Sequence, residues 1–211
     1  MAKRARTART DPLERIVKAA LELGAQQGWR ETRMADIAEA SGLSLNEVYK
    51  LTPSKMHIVS AFLRELDGQM IAGNDPAIAG EPARDRLFDV IMRRFDLLSP
   101  RKAGVAAILK DVRARPLVWA CAWPMFARSL AWILETAHIG SDGISGVLRI
   151  KGLGVIMLGA MKVWLYDDSD DMAKTMTYVD RQLARADSIM ATLCRVATRR
   201  DSEEAGSEVS S

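Results

Sequence analysis

Ser44, Asn46 and Lys50 lie close together in the chain and carry hydrogen-bonding groups that can read base edges in a nucleic-acid groove. Arg33, Tyr49 and Lys55 flank them with groups that meet phosphate, and Thr32 stands at the head of the same stretch. Upstream, Arg4, Arg6 and Arg9 lie in a segment, residues 1–10, that holds no acid, a pattern suited to following a phosphate backbone. Other chemistry finds little support. His57 and His138 are the only histidines, and no cysteine or acid joins either at zinc-site spacing. The acidic run 167–171 lacks the glycine and spaced ligands of a calcium loop. Gly152, Gly154 and Gly159 do not complete a GxGxxG, because Met157 holds the third position and no strand precedes it. No Ser-His-Asp or Cys-His arrangement emerges. The chain reads as a binder rather than an enzyme, with neither metal nor cofactor.

Two short helices joined by a tight turn must position the reading residues. Thr32 is the expected N-cap of the first, in which Met34, Ile37 and Ala38 recur at helical spacing. Gly42 falls where a chain leaving a helix needs positive φ. Ser44 can cap the second helix, with Leu45 or Val48, then Leu51, facing inward. Pro53 stops that helix and Ser54 caps a third. This is a helix-turn-helix pattern, whose second helix such motifs place in the major groove.

From Ile16 to Leu63 the chain resembles the DNA-binding domain of TetR-type regulators. The resemblance is carried by AALELGAQQGW (19–29), Thr32, DIAEASGLS (36–44) and VYKLTPSK (48–55). Tyr49, Pro53, Ser54 and Lys55 match the family's aromatic recognition-helix end and its Pro-Ser-Lys. Leu45 stands where Lys or Arg is common, Glu47 where a small residue is common, and Thr52 where Phe is common. Of these, Glu47 repels phosphate and Leu45 cannot hydrogen-bond.

Composition sets the wider frame. The 211 residues are 48% hydrophobic and 27% charged, ordinary values for a soluble globular chain. A net charge of +3 does not argue for nucleic acid alone, but its distribution is uneven: basic over 1–10, acidic over 201–211. No apolar run follows the first charges, so no signal peptide is expected. The apolar run 152–161 is too short for a bilayer, which takes about 20 residues. Cys121 and Cys194 are isolated thiols, which fits a reducing cytoplasm.

In chain order, helix one follows Asp11 and Pro12 and ends at Gly28, with Trp29 plugging the small N-terminal core. A helix from Ser54 to about Met70 turns Ile58, Ala61, Phe62 and Leu66 inward. Residues 71–82 read as a loop. Leu87, Ile91, Phe95 and Leu98 mark the next helix, SPRK (99–102) breaks it, and 103–113 form a short one. Leu117 to Thr136 is Trp-rich, with Pro124 forcing a kink or a break. Ile144 to Tyr166 is apolar on nearly every side and should be a central helix. In the run 167–171, Ser169 is the expected cap of a last helix, Met172 to Thr198, with Asp170 and Asp171 in its first turn. The small residues Gly152, Gly154 and Gly159 suit a dimer seam or plain core packing. Met92, Phe95, Trp119, Trp123, Met125, Phe126, Trp132, Met157, Met161 and Trp164 either fill the core or line a cavity for an apolar ligand.

A second resemblance lies downstream. RDRLFDVIMRRFDLL (84–98) and VWLYDDSDDMAKTMTYVDRQLARAD (163–187) are similar to the C-terminal domain of the accessory lipid-binding proteins of coenzyme Q (ubiquinone) biosynthesis, through Trp164, Asp168, Ser169, Asp171, Thr175 and Arg181. That resemblance implies a TetR-type fold that binds isoprenoid lipid and performs no chemistry. Some members of that family use an amphipathic C-terminal helix at the membrane, for which Ile189, Met190, Leu193 and Val196 beside Arg195, Arg199 and Arg200 are suited; the same stretch also fits an ordinary last helix packed on the body.

The sequence therefore predicts an all-α chain of about nine helices. A helix-turn-helix head spans 1–52, a ligand-binding and dimerisation body 53–200, and a disordered acidic tail 201–211. The expected function is a homodimeric, cytoplasmic regulator that binds an inverted-repeat operator in double-stranded DNA. An apolar or lipid ligand would control its affinity. The alternative is a lipid-binding accessory protein of ubiquinone biosynthesis with the same fold, no DNA binding, and a membrane surface as partner.

Overall fold

The computed structural model describes residues 11–74 and 79–188. The basic arm with Arg4, Arg6 and Arg9, the acidic tail, and the amphipathic stretch 189–200 lie outside the described residues. Among the described residues the fold is all-α, as expected, with no strand. The helices are α1 (Pro12–Gln27), α2 (Met34–Ser41), α3 (Leu45–Leu51), α4 (Lys55–Ala72), α5 (Ala83–Leu98), α6 (Lys102–Arg113), α7 (Pro116–Thr136) and α8 (Gly143–Leu165). A further helix, α9, occupies 173–188. Two compact units result: the described part of Met1–Asn74 with Arg93–Ile133, and that of Asp75–Met92 with Leu134–Ser211.

The first unit starts at Asp11, whose carboxylate accepts from the Leu13 N–H at 3.2 Å while Pro12 opens α1. One face of α1 buries Ile16, Val17, Ala20, Leu21 and Gly24. Trp29 is buried, as anticipated. On α6, Val105, Ile108 and Val112 are buried, and that helix packs along α1. Gly42 ends α2 at φ 64°, a left-handed conformation that a Cβ would strain. α4 reaches Ala72, two residues beyond the expected end, with Ile58, Ala61, Phe62 and Leu66 all buried.

Three expectations for this unit need correction. Thr32 does not cap α2. It is buried, its hydroxyl donates to the Gly28 carbonyl at 2.9 Å, and the cap position falls to Arg33, whose N–H donates to the Asp36 carboxylate at 2.8 Å. Leu51 does not face inward; Val48 is the one residue of α3 that is buried, and Leu45 and Leu51 stand in solvent. Ser54 holds the cap position of α4, but its hydroxyl pairs with His57 Nδ1 at 2.8 Å rather than with a backbone N–H.

The second unit carries α8, whose stripe Leu153, Met157, Ala160 and Trp164 is buried. The opposite stripe is not. Ile144, Leu148 and Val155 are 85%, 66% and 72% exposed, so α8 is a half-covered helix rather than a central one. Its apolar residues exceed what a single layer of neighbours can shield. Gly159 of the small-residue series is occupied from within: a Cβ there would clash with the Tyr178 hydroxyl of α9. Gly152 meets nothing. By length and composition, α7 and α8 are long and apolar enough to cross a membrane, with mean hydropathies of 1.4 and 1.6. That exceeds what the apolar run 152–161 suggests on its own. α7 passes through Pro124 as one helix, so no break occurs there.

The acidic run works differently from the expectation. Ser169 does not hold the cap position of α9, which falls to Met172; its hydroxyl and the Asp171 carboxylate both accept from the Ala173 N–H, at 3.0 and 3.2 Å, and Asp170 and Asp171 precede the first turn instead of lying in it. Met172, at φ 53°, bends the chain so that the helix starts one residue later.

Candidate functional site

Helix α3, the second helix of the helix-turn-helix, is presented rather than packed. Only Val48 of its seven residues is buried, while Leu45, Asn46, Tyr49 and Lys50 are exposed. A helix this short is not stable alone, so what holds it is local. At its start, the Ser44 hydroxyl accepts from the Glu47 N–H at 3.3 Å. The Glu47 carboxylate accepts in return from the Ser44 N–H at 2.8 Å and hydroxyl at 2.7 Å. This reciprocal box satisfies donors that the first turn leaves free. The Ser44 hydroxyl and backbone bonds lower the Glu47 pKa, so an anion sits on this face. Behind it, the Arg15 guanidinium donates to the Ser41 carbonyl and, at 3.1 Å, to that of Gly42, closing the end of α2 with a cation.

Lys55 is a brace. Its ammonium donates to the carbonyls of Trp29 (2.6 Å), Arg30 (3.2 Å) and Thr32 (3.0 Å), and lies 5.4 Å from the Trp29 ring centroid. Burial lowers its pKa. An ammonium has three donors, and all three are spent on the loop between α1 and α2. Of the residues expected to meet DNA, Arg33, Asn46, Tyr49 and Lys50 stand in solvent, Ser44 is engaged in its cap, and Thr32 is buried.

An open groove of about 450 Å³ lies on this face, lined by Met34, Leu45, Asn46, Tyr49 and Pro53. Its lining is mostly apolar side chain, with the Asn46 amide and the Tyr49 hydroxyl as the polar groups.

The residues expected to meet an apolar ligand divide between the two units. Along α7, Trp119, Trp123 and Phe126 form a half-buried cluster with ring centroids 5.9–6.0 Å apart and tilted by 53–58°. Phe95 is fully buried, Met125 half-buried, and Trp132 48% exposed. In the second unit Met157 and Trp164 are core, Met92 is nearly so, and Met161 is half-buried.

Two polar clusters escaped sequence reasoning. In the first unit, Arg94 Nη1 donates to Asp67 Oδ1 at 2.6 Å, Arg94 Nη2 donates to Ser129 Oγ at 2.7 Å, and the Ser129 hydroxyl donates to the same carboxylate at 2.6 Å. All three residues are buried. They join α4 to α5 and α7. The signal for Arg94 was present: it shares a helical stripe with Leu87, Ile91 and Leu98. In the second unit, Asp167 Oδ1 accepts from the Ser169 N–H and hydroxyl, and Oδ2 accepts from the Thr175 N–H and hydroxyl at 2.8 Å. Burial on its own would raise its pKa, but these four bonds outweigh it and hold the carboxyl well below the ordinary range. Among the described residues no group of three or more His, Cys, Asp or Glu side chains is placed to hold a metal ion.

Comparison with known proteins agrees with this geometry. Residues 16–62 match the family described as bacterial regulatory proteins, tetR family. No curated protein matches the chain by sequence. Among solved structures, a TetR transcriptional regulator from Nitrosomonas europaea is 22% identical, with a TM-score of 0.67 over 82% of this chain and 97% of its own. A TetR regulator from Rhodococcus is 19% identical, with a TM-score of 0.57 over 82% and 93% of the two chains. FadR from Bacillus subtilis, solved with stearoyl-CoA, is 18% identical, with a TM-score of 0.51 over 80% and 96%. The resemblance to the ubiquinone accessory proteins has no counterpart in these matches. Residues 16–62 are thus a TetR-type N-terminal domain, carried by a chain with the fold of TetR regulators.

Proposed function

We propose that the protein is a cytoplasmic, sequence-specific DNA-binding regulator and acts as a homodimer, with head and body divided as the sequence suggests. The observation that carries this reading is the exposure of α3. A chain that needed the helix only for packing has no reason to stand Asn46, Tyr49 and Lys50 in water on a helix fixed at both ends. Arg33 and Lys50 supply phosphate or base contact, Asn46 supplies base contact, and the arm residues Arg4, Arg6 and Arg9 extend the charge. The exposed stripe Ile144, Leu148 and Val155 suits a second copy of the chain, and open Gly152 allows close approach. Two heads on a two-fold axis require an inverted repeat with half-sites about one helical turn apart, or a multiple of that.

Selection from random duplexes at physiological salt tests this. An inverted repeat should be enriched. Asn46→Ala should relax preference at one or two base pairs by roughly 1–3 kcal/mol each. Lys50→Ala should make the salt dependence of binding shallower by about one unit. Enrichment of no duplex would end the DNA reading.

An apolar or lipid ligand is the proposed effector, met by Trp119, Trp123 and Phe126. The stearoyl-CoA of the similarly folded FadR makes long-chain acyl-CoA the first probe. It should change Trp fluorescence and shift operator affinity by at least several fold, since a switch works only as far as the ligand distinguishes two states. Unchanged fluorescence and unchanged affinity would remove it.

Two observations weigh against DNA contact and so leave room for the second reading, a lipid-binding accessory protein that leaves DNA alone. The only acid on α3 is held ionised and exposed, and Lys55 is committed to carbonyls. Under that reading no duplex is enriched, and Glu47→Ala does not restore binding.

A further inference from the structure

We infer that the groove lined by Met34, Leu45, Asn46, Tyr49 and Pro53 is a subsite for the C5-methyl group of a thymine in each operator half-site. The inference rests on the DNA reading above and adds the base that the apolar part of α3 recognises. Leu45 and Tyr49 are 53% and 66% exposed, and both line the groove on the helix that would enter the major groove. The Leu45 side chain neither pairs with phosphate nor accepts from a base, and the Tyr49 ring adds an apolar face beside its hydroxyl. In the major groove the one apolar group a base pair offers is the thymine methyl, and apolar contact there separates thymine from cytosine. Asn46 lines the same groove, and its amide can pair in bidentate fashion with N6 and N7 of adenine. Groove and amide together therefore read neighbouring A·T pairs. Glu47, the one anion of α3, is drawn back onto Ser44 by two hydrogen bonds.

The test uses the full-length chain and the duplex obtained by selection. Each thymine of that duplex is replaced in turn by deoxyuridine, which deletes the methyl and keeps every hydrogen-bonding group. One position per half-site should weaken binding about four-fold, the value of one buried methyl, and both together about sixteen-fold. In Leu45→Ala, whose side chain is outside the core, the same replacement should change affinity by less than about two-fold. If the duplex binds and no deoxyuridine matters, the methyl subsite is wrong and the DNA reading stands. If the deoxyuridine effect persists undiminished in Leu45→Ala, the methyl is read elsewhere and the subsite is equally wrong. If no duplex binds at all, both readings fall.

Discussion

Asp67→Ala should destabilise the protein by about 3–5 kcal/mol, because it leaves the Arg94 guanidinium in the interior with only the Ser129 hydroxyl and the Met70 sulfur beside it. The cost lies in the uncompensated charge more than in the lost bond. Removing both charges should therefore restore much of it. The double variant Asp67→Leu/Arg94→Met should lie within about 1–2 kcal/mol of the parent, since a packed apolar pair can replace a buried ionic one. Urea midpoints of the parent, the two single variants and the double variant measure this directly. A single variant as stable as the parent would mean that water or a rotated partner reaches Arg94, and that the triad does not hold α4 to α5 and α7.

The second large effect belongs to Asp167. Asp167→Asn should cost about 2–3 kcal/mol at neutral pH. Both carboxylate oxygens each accept two donors, and an amide nitrogen turned toward either pair would face N–H and O–H groups with another donor. The pH dependence follows from the lowered pKa. A carboxyl held below its ordinary value contributes fully above the unfolded pKa, about 4. That contribution is lost as pH falls from there toward the folded pKa. The gap between parent and Asp167→Asn should thus be constant from about pH 7 to 5 and narrow below about pH 4, by up to roughly 1.4 kcal/mol per pH unit. Thermal unfolding at a series of pH values reads it. A gap that widens in acid would contradict the assigned bonds.

Much of the fold was legible because it rests on periodicity and on residues with one dominant local role. Asp11 and Pro12 start α1, Gly42 ends α2, and Ser44 caps α3, each through backbone chemistry confined to a few neighbouring residues. What stayed hidden depended on distance in the chain. Thr32 looks like a cap, yet its hydroxyl turns back to Gly28 because the cap position lies one residue on. In DDSDD four acids share one side-chain type, and only the fold selects Asp167 as the one that reaches Thr175, eight residues on. Asp67 and Arg94 are separated by 27 residues, so a charge on an apolar stripe could signal burial but not its partner. The apolar circumference of α8 read as centrality, although a helix with more apolar surface than its own chain covers carries the same pattern.

The three carbonyl bonds of Lys55 have a consequence for how such chains are recognised. Pro53-Ser54-Lys55 ends α3, opens α4 and ties the α1–α2 loop, and each of these tasks serves folding whether or not DNA is ever bound. A chain of this fold that bound no DNA would still lose stability on changing Lys55, so folding alone is enough to hold the motif in place. Leu45, Asn46 and Tyr49 carry no such obligation and are free to drift. The braced residues therefore mark kinship of fold, whatever the unbraced ones come to bind.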